Sequence, residues 1–183
     1  MEQRLGGIRM QGRMVLFASI TWLLSPGAAA ACETADGKAI ESPLETRRPV
    51  PGEDVRLTSG FGIRFDPIMM ERRLHRGIDW AAGEGTPVIA AGGGRVILAA
   101  VSADLGNTVA IDHGAGWQTH YAHLAAFDVR EGDCVTFGTV IGKVGKTGRA
   151  AGPALHFEVH RDGKPIDPLS VAVKGMVPMV EGK

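Results

Sequence analysis

The chain carries no excess of charge of either sign, and aromatic residues are scarce. Its 20 lysines and arginines balance its 20 aspartates and glutamates, and aromatic residues make up 5% of the 183 positions. A nucleic-acid-binding protein usually shows a run of basic residues or a basic patch interleaved with aromatic ones, and neither is present. We therefore expect no nucleic-acid partner.

An apolar run long enough to cross a membrane is also missing. Three arginines precede an apolar run over 14–24, which is about half of the roughly 20 residues that a membrane-spanning helix needs. A Ser-Pro-Gly break and four alanines at 28–31 follow, as in a cleaved export signal. The sequence therefore predicts a signal peptide over 1–31 and a mature form, without a membrane span, that is periplasmic or extracellular.

Cysteine is rare, with two residues in the chain. Cys32 directly follows the alanines, where a lipid-accepting cysteine would stand, but the usual leucine three positions earlier is Ala29 here. A lipoprotein is therefore the second possibility. An exported protein can form a disulfide, for which Cys32 and Cys134 are the only pair, and two separately used thiols are an equal alternative.

No segment of the mature chain shows a sustained 3.6-residue apolar period. Short apolar or alternating runs bounded by glycine, asparagine or aspartate recur instead, which favours an all-β, antiparallel protein with few or no helices and with its function on loops. These runs cover 88–90, 95–101, 108–111, 118–124, 134–137, 139–144 and 155–160. The stretch before these runs is polar and contains prolines, which predicts a linker over 32–54. The sequence further predicts one domain over 55–170 and a C-terminal tail over 171–183.

A histidine and an aspartate stand four residues apart in the segment Leu-His-Arg-Gly-Ile-Asp-Trp. His75 and Asp79 point the same way in an extended chain, as they would one turn apart on a helix. Gly77 and the glycine-rich flanks favour an extended setting. A catalytic zinc usually has three protein ligands, so the metal hypothesis requires a third donor. The alternative is an ordinary hydrogen-bonded pair.

Strict alternation in the segment 154–160 supplies that donor. Leu155, Phe157 and Val159 fall on one face, which must be the core face, so His156, Glu158 and His160 share the other. His156 is thus well placed as the third ligand, with a plain surface histidine as the alternative.

The other histidines have different expected roles. In the segment 118–124, alternation sends Tyr121 and His123 one way and His120 the other, so only one of these two histidines can face a shared site. His113 falls at the junction of a strand and a turn, where a hydrogen-bonding structural role is expected.

Three motifs in register resemble the M23 family of zinc metallopeptidases, the lysostaphin-type or LytM-like cell-wall endopeptidases. They are His75-x-Gly77-x-Asp79, Tyr121-Ala122-His123-Leu124 and Gly152-Pro153-Ala154-Leu155-His156-Phe157-Glu158. Supporting matches include Ser59-Gly60-Phe61-Gly62-x-Arg64 and Gly145-Lys146-Thr147-Gly148. The resemblance runs from about Leu57 to Leu169.

The resemblance implies a lysostaphin-type sandwich or barrel built from duplicated hairpin units. It also implies that His75, Asp79 and His156 bind one Zn²⁺ ion per chain, and that the substrate is the peptide of bacterial peptidoglycan. His123 would be the catalytic residue that helps to activate water or to stabilise the oxyanion. The substrate-binding residues are not indicated.

One position departs from the family pattern. Members usually carry His-Leu-His where this chain has Ala154-Leu155-His156, so the second catalytic histidine is absent. Loss of one acid–base group typically costs about 10²–10⁴ in rate. The leading interpretation is an exported zinc endopeptidase with reduced activity. The alternative is an inactive M23-like regulator that binds cell wall or activates an amidase partner.

Overall fold

Short antiparallel strands joined by tight turns make up nearly all of the structure, a computed structural model that describes residues 32, 44–66 and 70–171. The strands are β1 Arg56–Ser59, β2 Gly62–Asp66, β3 Glu71–His75, β4 Ile78–Ala81, β5 Pro87–Ile89, β6 Gly94–Ser102, β7 Gly106–Gly114, β8 Trp117–Phe127, β9 Cys134–Val135, β10 Val140–Val144, β11 Ala154–Arg161 and β12 Lys164–Ile166. Within the described ranges the one helix is a 3₁₀ turn, Pro168–Ser170. No helix in this part of the chain has the length and apolar character required to cross a membrane.

Ten strands form one branched sheet, and β2 and β3 form a separate two-stranded hairpin. The main path runs β1-β4-β11-β8-β7-β6-β9, while β10 pairs with both β8 and β5, and β12 pairs with β11. Every predicted run between 88 and 160 forms a strand, and all pairings are antiparallel. The predicted all-β, antiparallel fold is therefore confirmed.

The core lies on the side of β11 and β8 that alternation predicts. Leu155, Phe157 and Val159 are buried, and Phe157 packs its ring against that of Tyr121 with the centroids 5.4 Å apart. Each such side chain contributes about 1.5–3 kcal/mol of hydrophobic free energy when fully buried. This packing fixes β11 and β8 side by side, and their other face carries the histidines.

Two residues within the described part of the predicted linker, 44–54, pack against the sheet. Leu44 and Val50 are buried in the core, and the amide of Ile89 donates a hydrogen bond to the carbonyl of Pro49. Two isolated apolar residues make no period, so the sequence alone gives no sign that this stretch packs.

Cys32 is joined to Cys134 on β9 by a disulfide. Of the two alternatives left open by the sequence, the structure therefore contains the paired cysteines and not two separate thiols.

The predicted signal peptide, 1–31, lies outside the described residues. So does the predicted C-terminal tail after its first residue, Val171.

Candidate metal centre

Three side chains from three strands converge on one point. His75 ends β3, and Asp79 on β4 is the direct cross-strand partner of His156 on β11. The Nε2 atom of His75 lies 3.1 Å from Nδ1 of His156 and 3.2 Å from Oδ1 of Asp79. The same Asp79 oxygen lies 2.8 Å from Nδ1 of His156. The structure thus brings together the three residues for which the sequence predicts a metal site.

Gly77 allows this convergence because it lies against β11 between the two ligands. A Cβ atom at position 77 would lie 2.2 Å from the carbonyl oxygen of Phe157, far closer than any van der Waals contact. Only glycine permits the β3–β4 connection to approach β11 this closely. The His-x-Gly-x-Asp spacing is therefore extended rather than helical, as predicted.

The donor set fits zinc. Two imidazole nitrogens and one carboxylate oxygen are common zinc ligands, and three ligands leave a fourth position open. In a tetrahedral site with bonds of about 2.0–2.1 Å, ligand atoms lie roughly 3.3 Å apart. The three separations here, 2.8, 3.1 and 3.2 Å, approach that value. His75 and His156 are buried, so their rings are held in place by packing.

Hydrogen bonds fix the tautomer of His75. Its Nδ1–H donates to the carbonyl of Gly60 at 2.6 Å, which leaves Nε2 with a free lone pair directed at the cluster. A backbone acceptor on the far nitrogen is the usual way in which proteins orient a metal-binding histidine.

His156 is fixed in the opposite tautomer by a carboxylate. Its Nε2–H donates to Oε1 of Glu158 at 3.0 Å, so Nδ1, which faces Asp79, is the atom that would bind a metal after losing its proton. The other Glu158 oxygen accepts from Nε2 of His160 at 2.5 Å. Glu158 and His156 are both buried, and a carboxylate behind a metal-binding histidine raises the basicity of that histidine.

The charges in the cluster favour a bound cation. Burial by itself raises the pKa of Asp79, but its interactions with His156 and His75 bring that pKa well below its usual range. Burial lowers the pKa of His156, whereas its hydrogen bonds to Asp79 and Glu158 raise this pKa to about 9. The site therefore presents an ionised carboxylate, and a cation that binds it displaces a proton from His156.

His123 reaches the cluster because the alternation of β8 breaks at this residue. Its φ angle is +62°, in the left-handed region. Between the pairs Asn107–Leu124 and Val109–Tyr121, β7 advances by two residues and β8 by three, so β8 has a bulge at this point. The His123 ring centroid lies 5.8 Å from that of His156. Its Nδ1–H donates to the carbonyl of Thr147 at 2.8 Å, which leaves Nε2 free to accept a proton. Burial is the main cause of its lowered pKa, which keeps the ring neutral near pH 7.

The prediction that His120 and His123 lie on opposite faces is wrong. His120 is the cross-strand partner of Glu158, and its ring stacks on that of His160 at 4.3 Å. Both histidines lie on the face of the cluster because the bulge at His123 shifts its side chain by one position. His120 has a buried Nε2 atom without a hydrogen-bond partner, and burial lowers its pKa to about 4.

His113 has the structural role that its position predicts. Its Nδ1–H donates to the carbonyl of Gly93 at 2.8 Å, and its Nε2 atom lies 2.7 Å from the hydroxyl of Thr119.

Ala154 lies on β11 two residues before His156, on the same face of the strand. Its methyl group can neither move a proton nor donate a hydrogen bond.

Two groups that orient the site have no role in the expectations from the sequence. Glu158 shares a face of the strand with His156 by alternation, and this shared face is a signal of contact between them. The Thr147 carbonyl acts through the backbone and comes from a loop 24 residues beyond His123. No local pattern indicates such an interaction.

Together, the fold and the site define a class of β-sheet protein that carries a preformed cluster of two histidines and one aspartate on one sheet face. The chain belongs to peptidase family M23, whose family model matches residues 73–168, just over half of the sequence. The resemblance seen in the motifs is thereby confirmed.

Relatives in the same family include named cell-wall enzymes. The DD-carboxypeptidase/endopeptidase Mpg of Neisseria meningitidis serogroup B is 48% identical over 118 residues, which cover 64% of this chain and 27% of Mpg. The peptidoglycan DD-endopeptidase ShyA of Vibrio cholerae is 38% identical over 125 residues, which cover 68% of this chain and 28% of ShyA. The chain thus spans about a quarter of the length of these relatives.

A solved structure shares the fold. A zinc-containing peptidase from Vibrio cholerae superimposes with a TM-score of 0.67 at 32% identity, over 78% of this chain and 46% of that one.

Proposed function

We propose that this protein is an exported zinc metalloendopeptidase that hydrolyses peptide cross-links of bacterial peptidoglycan. The observation that carries the proposal is the convergence of His75, Asp79 and His156, with Nε2 of His75 and Nδ1 of His156 both directed at the Asp79 carboxylate. Cell-wall peptides as substrate are supported by the names of the relatives. One zinc per chain is the expected metal content.

The disulfide supports an oxidising compartment, which is the periplasm or the extracellular space. Cys32 uses its sulfur in the bond to Cys134, so the same atom is not available for a lipid thioether. This favours the cleaved signal peptide over the lipoprotein.

Zinc held by these ligands would act as a Lewis acid that polarises the scissile carbonyl and makes a water molecule more acidic. His123 would supply the general base. Its Nδ1–H is committed to Thr147, so Nε2 accepts the proton of the attacking water and later donates it to the leaving amine. The lowered pKa of His123 keeps Nε2 unprotonated at neutral pH.

A catalytically weak or inactive regulator is the second candidate, and Ala154 is the observation that favours it. A histidine two residues before His156 would project to the same face and could share in stabilising the oxyanion. Its absence leaves His123 as the one acid–base group that we assign. In this alternative, the domain binds cell wall or activates an amidase.

Metal analysis and digestion of peptidoglycan test the proposal. We expect the purified protein to contain one zinc and to release cross-linked muropeptides. His123→Asn should keep the zinc and reduce release by about 10²–10⁴. Asp79→Asn is the matched control, because it should lose the zinc and the activity together. Zinc without any bond cleavage at high enzyme loading would establish the regulator instead.

The variant Ala154→His tests whether the active site lacks only one acid–base group at position 154. Because the new imidazole projects beside His156, we expect the initial rate of muropeptide release to rise by about 10²–10⁴, the range that one acid–base group supplies. Zinc content is the control. An unchanged rate with normal zinc would show that the active site does not use this position.

A further inference from the structure

The hydroxyl of Thr147 is inserted between β7 and β8, one residue beyond His123. Asn107 on β7 and Leu124 on β8 are cross-strand partners. The amide of Asn107 donates to Oγ1 of Thr147 at 3.0 Å, and this hydroxyl donates to the carbonyl of Leu124 at 2.7 Å. A side chain from a third segment thus joins the two strands at the point where β8 has its bulge.

The side chain of Asn107 holds the same stretch of β8. Its Nδ2 atom donates to the carbonyl of Leu124 at 3.0 Å and to the carbonyl of Ala125 at 2.9 Å. A bulge interrupts the regular ladder of backbone hydrogen bonds, so carbonyls next to it need other donors. Asn107 and Thr147 supply such donors.

Two glycines allow Thr147 to approach β7 this closely. A Cβ atom at Gly106 would lie 2.3 Å from Oγ1 of Thr147, and one at Gly148 would lie 2.4 Å from the amide nitrogen of Gly106. Both glycines also have φ angles in the left-handed region, +64° and +67°. The backbone is therefore shaped to bring the Thr147 hydroxyl to this position.

His123 depends on the two loops that Thr147 connects. Its amide donates to the carbonyl of Leu105 at 2.8 Å, and its Nδ1–H donates to the carbonyl of Thr147 at 2.8 Å. A residue other than glycine at a φ angle of +62° is strained, and it persists only where its surroundings fix it. The position of the His123 ring therefore requires both loops to stay in place.

We propose that Thr147 and Asn107 are positioning residues for His123. The Thr147 hydroxyl and the Asn107 amide keep the bulge of β8 and the carbonyl that accepts from Nδ1 in one fixed arrangement, so that Nε2 of His123 faces the metal centre. This inference rests on the proposed function, because it names residues that act through the general base. They act through His123 and not by binding zinc, so their loss should spare the zinc content.

Thr147→Val is the decisive variant, because it keeps the shape of the side chain and removes both hydrogen bonds of the hydroxyl. We expect kcat for a cross-linked muropeptide to fall about 10–10²-fold with KM unchanged, since a misplacement of about 1 Å can cost about 10² in rate. The second measurement is the tautomer of His123, read from ring-nitrogen chemical shifts of the zinc-loaded protein labelled with ¹⁵N-histidine. The signals of His123 are those that His123→Asn lacks.

The tautomer reports on position because the hydrogen bond made by one ring nitrogen decides which nitrogen carries the proton. The unmodified protein should show the Nδ1–H form. Thr147→Val should also show the Nε2–H form, because the carbonyl acceptor of Nδ1–H has moved. Thr147→Ser keeps the hydroxyl and should restore both the Nδ1–H form and kcat.

Thr139→Val is the matched control. The hydroxyl of Thr139 likewise accepts from a backbone amide, that of Thr136 at 3.1 Å, in the turn between β9 and β10. This variant should leave the tautomer and kcat as in the unmodified protein. An unchanged His123 tautomer in Thr147→Val would overturn the proposal, as would equal effects of Thr147→Val with either Thr147→Ser or Thr139→Val.

Two measures keep the test decisive. If circular dichroism shows that Thr147→Val does not fold, Asn107→Ala replaces it, since this variant removes the two Nδ2 hydrogen bonds and should give the same change of tautomer. If the zinc-loaded unmodified protein cleaves no muropeptide, the proposed function fails, and the tautomer alone then tests the positioning of His123. An Nδ1–H form that persists in the folded variant overturns that positioning, whether or not the protein is active.

Discussion

Glu158→Gln should weaken zinc binding without unfolding the protein. Glu158 lies two residues beyond His156 and accepts its Nε2–H at 3.0 Å, so it determines which nitrogen of that ligand carries the proton. Glutamine keeps the size of the side chain but removes the charge. Its amide can also turn and donate to Nε2, which would move the proton to Nδ1 and block the ligand atom.

The magnitude follows from the geometry. Glu158 is buried, and it also accepts from His160 at 2.5 Å, so solvent cannot replace the lost charge. Burial by itself raises the pKa of Glu158, but its hydrogen bonds with His156 and His160 lower this pKa below its usual range. The group is therefore ionised at neutral pH. Loss of such an orienting partner typically costs about 10–100-fold in metal affinity, or roughly 1.4–2.7 kcal/mol.

Competition with a chelator of known affinity near pH 7.5 measures this effect directly. Glu84→Gln is the matched control, because Glu84 is an exposed surface carboxylate paired with Lys146 and should leave the zinc Kd unchanged. A Kd for Glu158→Gln within about twofold of the unmodified protein would refute the reasoning, since the expected loss is at least tenfold. Circular dichroism of the zinc-free variants confirms that the comparison is between folded proteins.

Three further predictions concern stability. Gly77→Ala should destabilise the protein by about 1–3 kcal/mol in denaturant titrations and reduce its zinc content, because the new methyl group meets the Phe157 carbonyl. Gly152→Ala is the control, since its methyl group would lie in open space and should change neither quantity. Cys134→Ser should lower the free energy of unfolding by about 2–5 kcal/mol, because the disulfide closes a loop of 102 residues; an unchanged denaturation midpoint would contradict this. The pKa of His120 is about 4 in the folded protein and 6.5 ordinarily, so between these pH values the unfolded chain binds a proton at His120 that the folded protein does not bind. Unfolding free energy should therefore fall as pH drops from 6.5 towards 4, and His120→Gln should make that fall shallower; parallel curves would argue against it.

The sequence determines the parts of the site that depend on local alternation. His156 and Glu158 share a face, and Leu155, Phe157 and Val159 the other, because a strand reverses its side chains at each residue. Short apolar or alternating runs bounded by turn-forming residues predict the strands from β5 to β11. Glycine at position 77 marks a close approach of two backbones, although its partner cannot be read from the sequence.

The tertiary structure determines which residues lie next to each other across neighbouring strands and loops. The bulge at His123 overrides alternation and turns that side chain towards the cluster, and its tautomer depends on a carbonyl from a distant loop. Leu44 and Val50 become core residues only because sheet residues distant in sequence leave room for them. The sequence supplies the candidate metal ligands and their strands, while their meeting point and the proton acceptors behind them require the register between strands. That register is set by packing across the whole sheet, which no short stretch of sequence encodes.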